Sequence, residues 1–145
     1  AQDLKIHFAN AESKINGFDK EFKGFKLTAD AITSLEQISQ ELTLKIKSNL
    51  ENEEYSKKEL QNLNQQLIGL EKSFISDQGM YFGSWYKSLY ASSDPFSGYA
   101  AWILPGLEYE IALKSSDRLQ EWDSRYTNAI NSLTLKMKQL IEELK

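Results

Sequence analysis

Apolar residues recur along the first third of the chain at alternating spacings of four and three. The series runs Leu4, Phe8, Ala11, Ile15, Phe18, Phe22, Phe25, Ala29, Ile32 and then Leu35, Ile38, Leu42, Ile46 and Leu50. This heptad-like stripe predicts one long amphipathic helix over about residues 3–49, packed against partner helices. Asn16-Gly17 is a turn signal inside the stripe. Because the stripe crosses it without a change of phase, we expect the helix to continue through it.

The stripe ends after Leu50, and a second one begins soon afterwards. Asn52 is a candidate N-cap for a helix whose first turn holds Glu53 and Glu54, since acidic side chains there complement the helix dipole. The pattern predicts a second helix over about 52–77, and one unbroken helix over 3–77 is the alternative. The second stripe consists of Leu60, Leu63, Leu67, Leu70 and Phe74.

A third helix is predicted over about 106–144, where the pattern is again helical. Pro105 suits its first turn, because the missing proline N–H is harmless there, and Ser115 interrupts the stripe near its start. The stripe is Leu107, Ile111, Leu119, Trp122, Tyr126, Ala129, Leu133, Met137, Leu140 and Leu144.

Between the second and third helices lies an insert, residues 78–105, with a different composition. Residues 78–107 hold eight of the seventeen aromatic residues, both prolines and four of the seven glycines, and their charged side chains are Lys87 and Asp94. We expect short helical elements here, starting with Met80 to Ala91. The second helix is much shorter than the first, so the insert can fill the gap at the end of the bundle.

These lengths predict an all-α fold in a single domain over residues 1–145. The arrangement is an elongated, coiled-coil-like antiparallel three-helix bundle, with the aromatic insert as a fourth short layer at one end.

Composition narrows the function classes. The chain has 17 basic and 21 acidic residues, a net charge of -4 and a pI near 5.1, so we expect no nucleic acid partner, which would require a basic face. There is no cysteine, hence no disulfide framework. The start Ala1-Gln2-Asp3, without an initiator Met, suits a processed exported protein, and we expect an extracytoplasmic location.

Catalytic and metal-binding patterns are absent from the sequence. His7 is the sole histidine and has no cysteine or second histidine with which to share a metal ion. Glu53-Glu54 and Glu142-Glu143 are adjacent pairs, which point in different directions on a helix. We therefore predict no enzyme activity, no metal site and no cofactor.

Arg118 and Arg125 are the only arginines, and they lie two helical turns apart. Ion pairs with Asp117, Glu121 and Asp123 are one interpretation. The other is an anion-binding pair for a small acidic ligand, because arginine suits bidentate carboxylate recognition.

The insert is either a cap that closes the bundle or a surface that grips a partner. Tyrosine and tryptophan are favoured in interface hot spots, so the leading hypothesis is a binding module that engages a protein partner, with a glycan or a membrane surface as other options. The alternatives are a ligand-sensing bundle of a membrane receptor and a membrane-active protein that inserts residues 99–106. The pattern identifies neither the partner nor the oligomeric state. The partner-binding candidates are Trp85, Tyr90, Phe96, Tyr99 and Trp102.

Overall fold

The computed structural model describes residues 1–52 and 55–144, and in this part of the chain it is mostly helical. The helices are α1 (Gln2–Asn16), α2 (Lys26–Asn52), α3 (Lys57–Gly69), α4 (Pro105–Leu113) and α5 (Leu119–Glu143), and a 3-10 helix (Leu70–Phe74) follows α3. Two short strands, β1 (Ala91–Ser93) and β2 (Ala101–Ile103), lie in the insert. The helical class is therefore confirmed, whereas the fold also contains a small sheet.

The single helix predicted over 3–49 is wrong, because the chain turns between α1 and α2. α1 ends at the Asn16-Gly17 signal, and α2 begins at Lys26. The turn is closed by Glu12, whose carboxylate accepts a hydrogen bond from the N–H of Phe25 at 2.7 Å. Gly24 lies close to the same carboxylate with φ +86°, a conformation that favours glycine.

The apolar stripe runs through this turn because its residues face the core on both sides of it. Phe25 is buried, and Phe18 and Phe22 pack partly buried against the core. The rings of Phe25 and Phe8 pack edge to face, with their centroids 5.7 Å apart. An unbroken helical phase in the sequence thus reflects a common core rather than a continuous helix.

α2 and α5 run side by side in the same direction. Thr28 is fully buried, and Asp123 accepts hydrogen bonds from its backbone N–H at 2.9 Å and from its hydroxyl at 2.7 Å. The carboxylate therefore caps the N-terminus of α2, where unpaired N–H groups and the helix dipole favour a negative charge. The Thr28 hydroxyl also lies 3.2 Å from that of Thr127, one turn further along α5.

α3 begins later than the sequence predicted. Its N-cap is Ser56, and a capping box joins it to Glu59. Asn52 belongs to α2, and Glu53 and Glu54, the predicted first turn, lie outside the described residues. α3 runs antiparallel to α5: Gln66 donates to Glu143 at 2.8 Å, whereas Arg125 reaches Ser76 beyond the 3-10 helix at 2.9 Å.

The prediction that the insert is helical is wrong. Residues 75–90 form turns and isolated bridges, and β1 pairs with β2 as an antiparallel hairpin. The third helix, predicted over 106–144, is also divided. α4 ends at Leu113, its C-cap Lys114 has φ 51°, and α5 begins at Leu119 after a short turn.

The core lies where α1, α4, the insert and the first halves of α2 and α5 meet, and we call this region the closed end. Trp122, Tyr126 and Leu107 are fully buried there. We call the opposite region the open end: it consists of residues 40–52 at the end of α2, residues 57–70, which are α3 and Leu70, and residues 134–144, which are the end of α5 and Leu144. In the described part of the open end, Leu42 and Leu140 are the only buried apolar side chains.

Candidate protein-interaction surfaces

A cluster of aromatic rings covers one side of the insert. Phe96 stacks on Tyr109 with ring centroids 6.0 Å apart and ring planes 16° apart. Phe82 contacts Tyr109 at 5.2 Å and Trp102 at 6.0 Å. We call this cluster, together with the exposed rings beside it, the aromatic surface: Phe82, Trp85, Tyr86, Phe96, Tyr99, Trp102 and Tyr109.

The loop between β1 and β2 presents the tip of this surface. The carboxylate of Asp94 accepts hydrogen bonds from the N–H of Phe96 at 2.8 Å and from the hydroxyl of Ser97 at 2.5 Å. The Ser97 hydrogen bond holds the pKa of Asp94 below its usual value, with a smaller contribution from Phe96. Gly98 adopts φ +74°, and Tyr99 follows it with 97% of its surface exposed. The loop is thus fixed by its own hydrogen bonds while its tyrosine faces solvent.

The candidate residues from the sequence occupy different environments. Trp85 and Phe96 are 74% and 63% exposed, and Trp102 is partly buried against Phe96. Tyr90 is 36% exposed, and its ring contacts those of His7 and Phe74. The structure therefore brings Phe96 and Trp102 together and leaves Tyr90 on another side of the hairpin.

The segment proposed for membrane insertion, residues 99–106, is split between surface and core. Tyr99 and Ala101 are exposed, whereas Leu104, Pro105 and Gly106 are buried. Leu104, with φ 56°, is the N-cap of α4, which begins at Pro105. Within the described residues, no helix has the length and apolar character needed to cross a bilayer.

The two arginines are engaged inside the chain. The Nε of Arg118 donates to Glu110 at 2.7 Å, and its guanidinium lies 4.4 Å from the ring centre of Tyr81. The carboxylate of Glu110 is fully buried and also accepts from the indole N–H of Trp122 at 3.3 Å. The hydrogen bond from Arg118 to Glu110 raises the pKa of Arg118 above its ordinary value.

Arg125 ties the insert to α5. It donates to the carbonyl oxygen of Gly79 at 2.7 Å and to Ser76, and its guanidinium lies 4.3 Å from the ring centre of Trp122. The sequence suggested ion pairs with Asp117, Glu121 and Asp123. In the structure Arg118 pairs with Glu110 instead. Arg125 does form the predicted ion pair with Glu121, at 3.7 Å. Binding of an anion by these two groups stays a hypothesis, and it would have to compete with these contacts.

α3 is a second candidate surface, which the sequence pattern did not reveal. None of the thirteen residues of this fully described helix is buried. Ile68 is 64% exposed and Leu60 37% exposed, while Leu63 and Leu67 are only partly covered. The stripe that predicted a packed helix therefore lacks a complete partner within the chain.

Two shallow grooves separate α3 from the end of α5. One has a volume of about 110 Å³ and the other about 280 Å³. Leu140 and Glu143 line both of them, with Leu63 and Leu144 in the first and Leu70 in the second. Apart from the Gln66–Glu143 hydrogen bond, α3 thus stands away from α5 over much of its length.

Metal ligands do not cluster in the part of the chain that the structure describes. Over residues 1–52 and 55–144, no three histidine, aspartate or glutamate side chains are placed to hold a metal ion together. His7 instead lies beside Tyr90, with ring centroids 6.3 Å apart.

Comparison with known proteins gives one match. A family model described as the transferrin receptor-like dimerisation domain matches residues 6–138, which is most of the chain. Neither the curated proteins nor the solved structures contain a match.

Proposed function

The chain belongs to the family of transferrin receptor-like dimerisation domains, and we propose that it pairs with a second copy of itself through the open end. It is a helical protein-interaction domain. In our proposal it has no enzyme activity of its own, and the open end supplies the contact between copies.

The observation that carries the proposal is the incomplete burial of α3. A helix of 13 residues is marginal in water on its own, and most helices in proteins are stabilised by packing of their apolar face. α3 has an apolar stripe but no buried residue. A second copy placed over Leu63, Leu67 and Ile68 would supply the missing packing.

Burial of the apolar side chains of α3 would favour this contact. Full burial of a leucine or isoleucine side chain contributes about 1.5–3 kcal/mol, before the cost of association is subtracted. Specific interfaces typically cover about 800 Å² on each partner, and α3 and the end of α5, with the grooves between them, would both contribute to this area. The grooves lined by Leu140 give this face room for a partner's side chains.

The charges of the open end also suit a symmetric contact. Lysines and glutamates occur there in nearly equal number, among them Lys57, Glu59, Lys136 and Glu143. In a two-fold contact each surface meets its own copy, so a face of mixed sign can place opposite charges against each other.

Sedimentation equilibrium tests this proposal. We expect the wild-type chain to dimerise and Ile68→Lys to be monomeric, because a lysine at that position would have to be buried against the partner. Leu113→Lys is the matched control: Leu113 is 47% exposed but lies on α4, outside the open end. Circular dichroism should show both variants as helical as the wild type.

The opposite outcomes are equally clear. A wild-type chain that stays monomeric well above micromolar concentration contradicts self-association. A chain that dimerises equally well with Ile68→Lys and with wild-type α3 places the contact somewhere other than the open end.

The aromatic surface is a second candidate, for binding a different protein. Its support is the exposure of Trp85, Phe96 and Tyr99, since aromatic residues at the centre of interfaces contribute much of the binding energy. Phe96 also stacks on Tyr109, so the two rings together offer a larger apolar surface to a partner. In this proposal the candidate contacts remain Trp85, Tyr90, Phe96, Tyr99 and Trp102.

The two candidates are separated by a double variant. Phe96→Ala with Tyr99→Ala should leave the dimer of the wild type intact, because both residues lie in the loop of the aromatic surface. If this double variant is monomeric while Ile68→Lys still dimerises, the aromatic surface is the contact between copies. Thermal unfolding of the double variant should be close to that of the wild type, since both side chains are mostly exposed.

An extracytoplasmic location is part of the proposal. Its support is the family description, which names a receptor. Cleavage of the natural protein by protease added to intact cells would agree with it, and protection until the cells are lysed would contradict it.

A further inference from the structure

The hairpin in the insert has two edges with different hydrogen bonding. Leu104 donates to the carbonyl of Tyr90, and Asp94 donates to that of Ala100, both at 2.8 Å. These are directly opposed residues, so hydrogen-bonded pairs fall at every second position. The pairs Ala91–Ile103 and Ser93–Ala101 lie between them, and their N–H and C=O groups therefore point outward, away from the other strand.

On the outer edge of β1, nearby side chains form hydrogen bonds with some of these outward N–H and C=O groups. The N–H of Ala91 donates to the hydroxyl of Ser88 at 3.2 Å. The hydroxyl of Ser92 donates to the carbonyl of Ser93 at 3.1 Å. Local side-chain hydrogen bonds of this kind compete with strand pairing. β1 is thus partly capped by its own serines.

The outer edge of β2 differs from that of β1. No described side chain or backbone group forms a hydrogen bond with the outward groups of Ala101 or Ile103. An uncovered strand edge is a template for another strand. β2 can therefore offer four backbone groups, two donors and two acceptors, at the spacing of an antiparallel or parallel partner.

A groove lies against this edge. Its lining includes all three residues of β2 and no residue of β1, so it lies on the outer side of the hairpin. The opposite wall is polar and comes mainly from α1. The lining residues from outside β2 are His7, Asn10, Ser13, Lys14 and Glu108.

The charges of the groove indicate what fits there. Lys14 and Glu108 form an ion pair with 2.6 Å between Nζ and Oε1, so the two charges neutralise each other. The remaining polar lining, Asn10 and Ser13, can donate and accept hydrogen bonds. The backbone of an uncharged peptide is complementary to this lining. A strongly charged ligand is not, because the groove has no net charge to attract it.

We propose that the outer edge of β2 binds an extended, uncharged peptide segment of a partner protein, which adds a third strand to the hairpin. Main-chain hydrogen bonds to Ala101 and Ile103 hold the segment, and α1 covers its other side. In strand addition of this type the backbone supplies affinity and alternate side chains supply specificity. The site is separate from the open end, so it works whether the chain is a monomer or a dimer.

Two proline variants test the site, because proline removes a backbone N–H. Ala101→Pro removes an outward donor from β2, and Ser93→Pro, the matched control, removes an outward donor from β1. Both positions lie on hairpin edges, where proline is tolerated, and neither donates a hydrogen bond between the strands. The probe is a phage-displayed library of random heptapeptides, selected on the wild-type domain.

We expect enriched peptides to bind the wild type and Ser93→Pro equally and Ala101→Pro about tenfold more weakly, a loss that corresponds to about one hydrogen bond together with steric exclusion. Addition of an enriched peptide to the wild type should shift the backbone amide NMR signals of Ala101 and Ile103. This second measurement does not depend on the folding of any variant.

Three results would overturn the proposal. The first is a selection that yields no peptide binding above background. The second is a set of enriched peptides that bind Ala101→Pro as tightly as the wild type. The third is a set of NMR shifts confined to the aromatic surface or to α3, with Ala101 and Ile103 unchanged.

Discussion

The closed end and the open end use the same kind of amphipathic helix but bury it to different degrees. In the closed end, Trp122 and Tyr126 of α5 have no exposed surface. In the open end, α3 has no buried residue, and Leu135 of α5 is 57% exposed. One helix, α5, thus passes from a complete core into an incomplete one.

The difference follows from what each end packs against α5. The closed end has α1, α4 and the insert around it, and Gly106 allows α4 to approach the face of Trp122. Among the described residues, the open end has the end of α2 and a short helix, α3, with a capping box at its start. In the proposed dimer, the closed end is the stable scaffold and the open end supplies the surface for the second copy.

The largest effect should come from Trp122→Ala in the closed end. Truncation of a fully buried tryptophan typically costs about 3–5 kcal/mol, through lost burial and the cavity left behind. The matched change in the open end is Leu63→Ala, for which we expect less than about 1 kcal/mol in the monomer, because Leu63 is only partly covered. Urea unfolding measures both.

Protein concentration sharpens this comparison. If the open end is the dimer contact, the loss of stability from Leu63→Ala should grow with concentration, since only the dimer buries that side chain. The loss from Trp122→Ala should remain large at every concentration. Equal losses from the two variants in the monomer would mean that the ends do not differ in packing.

Two glycine substitutions should change stability in opposite directions. A Cβ at Gly106 would lie 2.5 Å from the ring of Trp122, so Gly106→Ala should destabilise the fold by about 1–3 kcal/mol. A Cβ at Gly69 meets nothing within 4 Å, and alanine is the better helix former, so Gly69→Ala should stabilise by about 0.5–1 kcal/mol. Thermal unfolding of both variants checks the signs, and a stabilising Gly106→Ala would contradict the close packing of α4.

Alkaline pH should weaken the closed end. Burial raises the pKa of Tyr126 above its ordinary value of 10.0, so above about pH 10 the unfolded chain loses this proton while the folded chain keeps it. The unfolded state then binds fewer protons, and stability falls as pH rises, by at most about 1.4 kcal/mol per pH unit for one group. Urea unfolding at pH 9 to 11 measures the slope.

The control for this pH effect is a pair of phenylalanine variants. Tyr126→Phe should reduce the slope, whereas Tyr99→Phe, at an exposed position, should leave it unchanged. The hydrogen bond to Glu121 also raises the pKa of Tyr81, so part of the slope should persist in Tyr126→Phe. A slope that is the same in all three proteins would show that Tyr126 is not protected by burial.

The helical class and most helix interiors were predictable because apolar spacing records which residues face a core. The spacing did not record the turn after Asn16, since Phe18, Phe22 and Phe25 face the same core with or without a continuous helix. The local signal for that turn, Asn16-Gly17, was present, but the prediction gave more weight to the periodic pattern. Likewise Ser56 and Glu59 have the spacing of a capping box and mark the true start of α3.

The insert was mispredicted because its apolar residues are too dense to show a period. Asp94, Pro95 and Gly98 separate two short apolar runs, which is a hairpin signal, but the apolar residues of 80–91 would also fall on one side of a short helix, and we followed that pattern. The exposure of α3 could not be predicted from a local sequence pattern. Leu60, Leu63 and Leu67 have the spacing of a buried stripe, and only the positions of the other helices determine whether anything covers them.

The smallest effect should come from the hydrogen bond between Gln66 and Glu143, which joins α3 to α5. Gln66 is only partly buried and Glu143 is exposed, so Gln66→Ala should change the free energy of unfolding by less than about 0.5 kcal/mol. The corresponding link in the closed end is the buried hydroxyl of Thr28 on Asp123, and Thr28→Val should cost about 1 kcal/mol or more. Amide hydrogen exchange should show α3 opening more readily than the first half of α2 in the wild type, and Gln66→Ala should speed exchange in α3 alone. Faster exchange throughout the bundle would mean that α3 is part of the main cooperative unit, and that the two ends unfold together.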